Sequence, residues 1–258
     1  MRVQTKDRKV VLIGSGNVNT VLGKMILKAG HTVLQVVSRN LAHAHALAEE
    51  LHATSTEYIS VVNQDADIYI ISVSDNALPA VARDLRLHKQ QLVVHTTGAA
   101  SINILAECSP RYGVLYPLQS LHKERTVLPL VPLLTDGVTG EVREYLAEFA
   151  ASLSRISGTA NDEQRMKLHI GAVLVSNFTN YLYTQADSYC KKEGIPFSYL
   201  QPIIEETALR LREEAPADVQ TGPAARKDTI TIEKHLQLLA GHPQLAQLYK
   251  KLSEAIMS

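Results

Sequence analysis

The stretch that decides the fold is Lys9 to Gly23, KVVLIGSGNVNTVLG. Val10-Val11-Leu12-Ile13 is an unbroken apolar run, the pattern of a parallel strand buried on both faces. Gly14-Ser15-Gly16 makes a turn. Helical periodicity follows, with Val18, Val21, Leu22, Met25 and Ile26 on one face. Strand, glycine turn and helix in this order form the opening unit of a dinucleotide-binding fold. Gly14 is expected to allow the tight turn and Gly16 to let the backbone approach a pyrophosphate. The helix start, at Asn17 and Val18, supplies N–H groups and partial positive charge to phosphates. One position departs from the pattern. Asn19 stands where a third Gly or Ala usually keeps helix and strand close. The alternative, a glycine turn with no ligand, is weakened by the strand before it and the helix after it.

The chain has 258 residues, enough for one large domain or two ordinary ones. Formal net charge is zero, so no basic excess argues for nucleic acid or an anionic membrane. Cys108 and Cys190 show neither metal spacing nor a disulfide framework, which points to reduced thiols in a cytoplasmic protein. The basic lead MRVQTKDRK runs directly into a strand without a secretory apolar segment. No run approaches the roughly 18 apolar residues of a membrane span.

In chain order, helix one ends near Lys28, with Gly30 as its stop. His31 to Val37 is a second strand, followed by Ser38-Arg39-Asn40. An NAD site usually carries an acid here for the ribose 2′-hydroxyl. Ser38 and Arg39 instead suit a 2′-phosphate, so the expected cofactor is NADP. A surface-loop role for Arg39 is the alternative. Leu41 to Leu51 is helical, and its His43 and His45 face different ways, as surface residues. Ile68 to Val73 is another buried strand. Ser72, Val73 and Ser74 lie at its carboxyl end, where open α/β sheets bind ligands, and Ser74 and Asn76 are expected to line the nicotinamide end of the cofactor. Asp75 is either part of that edge or the N-cap of the next helix. Gln91 to Val94 is a strand ending in His95-Thr96-Thr97-Gly98. Thr96 and Gly98 are expected near the cofactor, and His95 is either an acid/base group or a structural loop histidine. Tyr112 to Tyr116 and Leu133 to Asp136 read as further strands, with Pro117-Leu118-Gln119-Ser120 between them and a helix from Glu141 to Leu153 after them. Ser154 to Ser157 offers a return to the sheet. The alternation implies an α/β, doubly wound parallel sheet.

Near Ser157-Gly158-Thr159 the strand signal stops, dividing a nucleotide-binding domain, 1–158, from an all-helical one, 159–258. A long helix is expected from an Asn161 or Asp162 cap to about Lys192, with Gly171 its weak point. At about 100° per residue, His169, Ser176 and Asn180 fall near one line, with Asn177 at its edge and Lys167 nearly opposite. Polar groups along a mostly buried helix are costly unless satisfied. They are read either as a substrate face or as interhelical hydrogen bonds. Thr221 to Thr229, TGPAARKDT, connects helices; Arg226 suits a carboxylate or phosphate, and Asp228 either orients it or caps the following helix.

The order of parts resembles a family of Rossmann-like oxidoreductases whose helical C-terminal half is catalogued as a domain of unknown function. The resemblance rests on GSGNV at Gly14 to Val18, HTTG at His95 to Gly98 and YPLQS at Tyr116 to Ser120. HIGAVLVSNF at His169 to Phe178 and TGPAARKD at Thr221 to Asp228 are the more specific motifs. The family is similar in architecture to ketopantoate reductases, pyrroline-5-carboxylate reductases and deazaflavin-dependent NADP oxidoreductases. It implies an NADP-binding domain, a helical domain like that of 6-phosphogluconate dehydrogenase, a homodimer built by that domain, and a substrate between the domains. The family often has His where Tyr116 stands and Gly where Lys227 stands. The Lys and Asn pair of ketopantoate reductases is not reproduced, since Gly171 stands one turn after Lys167.

The function expected is hydride transfer from NADPH to a small carbonyl or imine compound, with a 2-keto acid such as ketopantoate as leading substrate. His169 is the expected proton donor or substrate binder and His95 the alternative acid. Asn177, with Ser176 or Asn180, would position the polarised atom. Arg226, Asp228 and Gln119 complete the expected substrate contacts. A dinucleotide-binding sensor or scaffold without turnover is the alternative from a different class.

Overall fold

Alternation along a buried strand sorts its side chains onto two faces, and β1 (Lys9–Ile13) shows the result. Val10 and Leu12 belong to one apolar cluster, Val11 and Ile13 to another. The computed structural model describes residues 7–258, so the first six residues of the basic lead lie outside the described residues. After β1 come α1 (Asn17–Lys28), β2 (Thr32–Val37), α2 (Leu41–Glu50), β3 (Thr54–Thr56) and β4 (Ile68–Ile71). Then follow α3 (Leu78–Asp84), β5 (Leu92–His95), β6 (Arg111–Pro117), β7 (Leu133–Gly137), α4 (Gly140–Leu153) and β8 (Ser157–Thr159). The sheet order is β3-β2-β1-β4-β5-β6-β7-β8. One cluster takes Leu22 and Ile26 of α1, Leu47 of α2 and Leu146 and Phe149 of α4. The other takes Leu78 and Ala82 of α3, with Leu105 and Cys108 from the segment after β5. Helices on both faces make the doubly wound layer structure expected from the alternation.

The sheet is not parallel throughout. β7 runs antiparallel to β6, while β8 is parallel to β7. The 118–132 connection contains no helix, so it cannot serve as the usual crossover, and the chain doubles back. Asp75 is not a helix cap either. α3 begins two residues later than expected, with Ala77 at the cap position and no side-chain cap bond. The Ser74 carbonyl accepts from the N–H groups of Ala77 and Leu78 instead.

The chain divides into two compact units, Met1–Ser176 and Asn177–Ser258. The change in secondary structure at residues 158/159 comes earlier, because the next helix, α5 (Asp162–Ala172), packs in the first unit. Its capping box pairs Asn161 with Gln164, as the acids and Asn at its start predict. The Asp162 carboxylate accepts from the Ile102 N–H, at 3.1 Å to Oδ1. Arg165 is fully buried and donates to Asp162 Oδ1 at 2.7 Å and to the Ala100 carbonyl at 2.8 Å. These bonds fix α5 to the segment after β5.

A π-helical turn, Val173–Phe178, separates α5 from α6 (Thr179–Lys192). Its i→i+5 bonds wind through fewer degrees per residue than an α-helix. The single line from His169 through Ser176 to Asn180 therefore does not hold as drawn. The second unit continues with α7 (Gln201–Arg210), α8 (Thr229–Leu238) and α9 (Pro243–Met257). Cys108 and Cys190 are both free and buried. Among the described residues no helix is long and apolar enough to cross a membrane.

Candidate functional site

Strands β1, β4 and β5 are parallel and adjacent, so their carboxyl ends open on one edge. The chain order reverses between β1 and β4, which is where such sheets bind dinucleotides. Gly14 takes φ +108°, and a Cβ there would lie 2.1 Å from the Ser72 carbonyl oxygen. Only glycine permits this approach. Its N–H donates to the Val37 carbonyl at 2.7 Å, tying the turn to the end of β2. Gly16 is different: its backbone is extended and a Cβ would meet nothing within 4 Å. It caps α1 with no side-chain bond, so the first helical N–H groups receive no cap from the chain. Gly16 and Asn17 are exposed at this helix start. An open backbone face at a helix N-terminus fits a pyrophosphate.

Asn19 is explained by two bonds. Its side-chain Nδ2 donates to the Ile13 carbonyl at 3.0 Å and to the Gly14 carbonyl at 2.9 Å. The side chain is fully buried and clamps the glycine turn onto α1. The close approach is supplied one turn later by Gly23, where a Cβ would lie 2.5 Å from Leu51 Cδ1 at the end of α2 and 3.2 Å from Leu12 Cδ1 on β1. Small size is needed at position 23, and position 19 is released for a hydrogen-bonding residue.

Ser15 Oγ donates to Ser38 Oγ at 2.8 Å, bringing the glycine turn and the end of β2 together. Arg39 is exposed beside them. A hydroxyl pair and a guanidinium at this place fit a 2′-phosphate, as the sequence suggested. Ser72, Val73 and Ser74 follow β4, and Thr96 follows β5 with its N–H on the Ile71 carbonyl at 3.2 Å. All the expected cofactor contacts thus lie along one sheet edge.

Next to them the structure makes a pair that the sequence did not single out. Tyr116, at the end of β6, is 7% exposed, and its phenol oxygen lies 3.2 Å from His169 Nδ1 on α5. The same phenol group bounds Gly98, where a Cβ would come within 3.0 Å of it. Burial raises the Tyr116 phenol above its ordinary value, so it stays protonated, and the bond runs O–H to Nδ1 or Nδ1–H to the phenol oxygen according to the protonation of the His169 ring. His169 is half-buried and accessible from one side. The YPLQS motif marked this strand end, but nothing in it announced a partner 53 residues away. Arg165 was also unannounced: only its i+3 spacing from Asp162 hints at the pair.

His95 has another character. It is 0% exposed, Nδ1 accepts from the Thr97 N–H at 3.3 Å, and Nε2 has no hydrogen-bond partner. Burial first, then the Arg165 cation, lower its pKa to about 4. It is neutral near pH 7, the behaviour of a structural loop histidine. As pH falls through 6.5 the unfolded imidazole takes a proton, whereas folded His95 does so only near 4. The unfolded chain binds more protons in that interval, so stability declines as pH falls through it, by about 3 kcal/mol. His31, lowered mainly by burial, acts in the same sense. His95→Gln should flatten this decline, read as urea midpoints between pH 7 and 4.5. An unchanged slope would show that His95 does not carry it.

Gln119 and Asp228 have local roles. Gln119 Nε2 donates to the Leu130 carbonyl and its Oε1 accepts from Ser120 N–H, so its amide is used within the β6–β7 connection. Asp228 caps α8, accepting from Thr231 N–H at 3.0 Å and Thr231 Oγ1 at 2.7 Å, which is the capping alternative. Lys227 takes φ +54°, which accounts for glycine being common there in the resembled family. Lys167 pairs with Glu163, away from His169. Ser176, Asn177, Asn180 and Arg226 are exposed.

Comparison with known proteins agrees with this geometry. Residues 9–98 match the model of the coenzyme F420-dependent NADP oxidoreductases, and residues 131–256 match a domain of unknown function, DUF2520. A Bacteroides fragilis crystal structure described as a "putative NADP oxidoreductase" shares 36% identity at TM-score 0.88, covering 97% of this chain and 98% of that one. Pyrroline-5-carboxylate reductase from Streptococcus pyogenes has 16% identity and TM-score 0.63, covering 98% and 99%. A reductive aminase from Aspergillus terreus, solved with NADPH and ethyl-5-oxohexanoate, has 18% identity and TM-score 0.67, covering 97% and 93%. These two share the fold. No curated protein matches the sequence. With the glycine turn, the serine pair at β2 and a relative over a third identical along nearly its whole length, the chain belongs to the NADP-dependent oxidoreductases that join this nucleotide-binding domain to a helical DUF2520 domain.

Proposed function

We propose that this oxidoreductase reduces a small carbonyl or imine compound, with His169 as the proton donor. The observation that carries the reading is the Tyr116–His169 hydrogen bond of 3.2 Å beside Gly98, on the edge that holds the glycine turn. The chemistry supplied by a bound reduced nicotinamide is hydride transfer. The chain must orient the acceptor carbon and deliver a proton to its oxygen or nitrogen. As the imidazolium, His169 would donate Nδ1–H to the Tyr116 oxygen and give its Nε2 proton to that atom, ending as a neutral imidazole. His169 is half-buried, which allows its proton to be replaced from solvent. The buried Arg165 cation holds the segment after β5 against α5 and so positions the ring that His169 presents.

Ser176, Asn177, Asn180 and Arg226 are proposed as further substrate contacts, supported by their exposed hydroxyl, amide and guanidinium groups. Arg226 makes an acidic substrate, such as a 2-keto acid, the leading choice. A second copy of this chain is the proposed partner of the helical unit. Phe178, Tyr199, Ile203 and Leu238 there are 57%, 76%, 64% and 70% exposed, apolar surface that a partner could cover. Sedimentation velocity should show a dimer; a monomer at micromolar concentration would remove this partner.

The functional test is a screen. NADPH is mixed with the protein and with 2-keto acids, ketopantoate among them, or cyclic imines, and nicotinamide absorbance is followed. Turnover of any member supports the reading. Tight NADPH binding with no turnover across the panel would favour the alternative, a dinucleotide sensor.

A further inference from the structure

The segment after β3 carries an exposed aromatic ring at the ligand-binding edge of the sheet. β3 is parallel to β2, with Thr56 beside Val37, so both strands end on the edge that holds the glycine turn. The Ser38 N–H donates to the Thr56 carbonyl at 3.0 Å, tying the two strand ends together. Thr56 Oγ1 accepts from the Tyr58 N–H at 3.2 Å, which fixes the turn out of β3. Arg39 and Tyr58 therefore leave adjacent, hydrogen-bonded strand ends. Tyr58 is 62% exposed, and Val61, in the short 3₁₀ turn Ile59–Val61, is exposed as well. That turn packs against α3, the helix after β4. The same edge has an apolar floor: Val37, Val62 and Ile71 are buried in one cluster, with Ile59 and Val73 half-buried against it.

The 2′-phosphate and the adenine of NADP are carried on one ribose. A site that holds the phosphate beside Ser38 and Arg39 must therefore also receive a flat, uncharged aromatic group. Charge keeps a phosphate away from the Tyr58 phenol. A hydrogen bond to the Glu57 carboxylate raises that phenol above its ordinary value, so an acid occupies the polar end of the side chain and the ring face is its free surface. A neutral ring face suits a purine, since stacking needs no charge and every base has a π-face. We propose that Tyr58 is the aromatic platform for the adenine of NADP, with Ile59 and Val73 as its apolar surroundings. The inference rests on reading this sheet edge as the NADP site, and it deepens that reading. Ser38 and Arg39 choose between NADP and NAD, whereas Tyr58 serves both alike.

The test is titration of the whole protein with NADPH and NADH, followed by nicotinamide fluorescence, for wild type, Tyr58→Ala and Tyr58→Phe. Tyr58→Ala should weaken both nucleotides by a similar factor, about tenfold, the scale of a lost base–aromatic stack. Tyr58→Phe keeps the ring and should stay within about twofold of wild type. The chain has no tryptophan, so Tyr58→Trp adds a single indole reporter. Adenosine 2′,5′-bisphosphate should quench its fluorescence and inorganic phosphate should not. Tyr58 is exposed, so thermal melting should be unchanged in each variant. The indole decides the case should Tyr58→Ala melt early. Wild-type affinity for both nucleotides in Tyr58→Ala would overturn the proposal. So would a loss for NADPH alone, which would move Tyr58 to the 2′-phosphate, a Tyr58→Phe protein as weak as Tyr58→Ala, or an indole left unquenched by the bisphosphate. Failure of wild type to bind either nucleotide would instead bring down the reading of the edge itself, and this proposal with it.

Discussion

Gly14→Ala should abolish measurable NADPH binding and destabilise the first unit, whereas Gly16→Ala should leave stability intact. The two glycines are two residues apart, but their surroundings are opposite. At position 14 the backbone is at φ +108°, and a methyl group would lie 2.1 Å from the Ser72 carbonyl oxygen and 2.9 Å from its carbon. Neither side can give way cheaply. Gly14 N–H is bound to Val37 O at 2.7 Å, and Ser72 N–H to Ile13 O at 2.8 Å. Conformational strain alone costs about 1–3 kcal/mol, and the clash with backbone adds to it. The expected loss in stability is about 3 kcal/mol or more, with NADPH affinity reduced by over about 100-fold because the phosphate loop is displaced. At position 16 a methyl group meets no atom of the described residues within 4 Å, so only an incoming phosphate would feel it. Thermal melting paired with nucleotide titration separates the cases. A Gly14→Ala protein with wild-type melting temperature and affinity would refute the turn geometry described for the site.

His169→Ala should lower turnover by about 10²–10⁴-fold, the usual range for a general acid, without changing NADPH affinity. Tyr116→Phe should cost less, about tenfold, since it removes the group that fixes the ring rather than the ring itself. The two effects should not add. Once His169 is gone, Tyr116 has no imidazole to orient, so the double variant should match His169→Ala. The readout is the rate on whichever substrate the screen identifies, with nucleotide binding measured in parallel. Turnover within about twofold of wild type in His169→Ala would end its assignment as proton donor. Additive losses would leave His169 in place but deny the pair a joint role.

Much of this arrangement is legible in the chain because it depends on neighbours. Val10 to Ile13 is apolar on both faces of β1, and the sheet buries both. Gly30 stops α1 and Asn161 starts α5 because caps are set within a few residues. Ser38 and Arg39 signal a 2′-phosphate because a parallel sheet fixes which edge follows β2. The antiparallel β7 was hidden, since strand direction depends on the connection as much as on the strand's own residues.

The opening stretch, Lys9 to Gly23, divides the two contributions most sharply. By sequence alone it determined a strand, a tight glycine turn and a helix, and hence a dinucleotide-binding sheet, because each signal lies within one turn of the residue that carries it. Why Asn19 replaces a small residue was decided only in three dimensions. There its amide reaches the Ile13 and Gly14 carbonyls, and Gly23 takes over the close contact with Leu51. The Tyr116–His169 pair and the hydrogen bond from Lys123 N–H to Asn17 Oδ1 were likewise decided by the tertiary structure. They join residues 53 and 106 positions apart, and no local periodicity encodes which distant side chains a folded sheet brings within hydrogen-bonding distance.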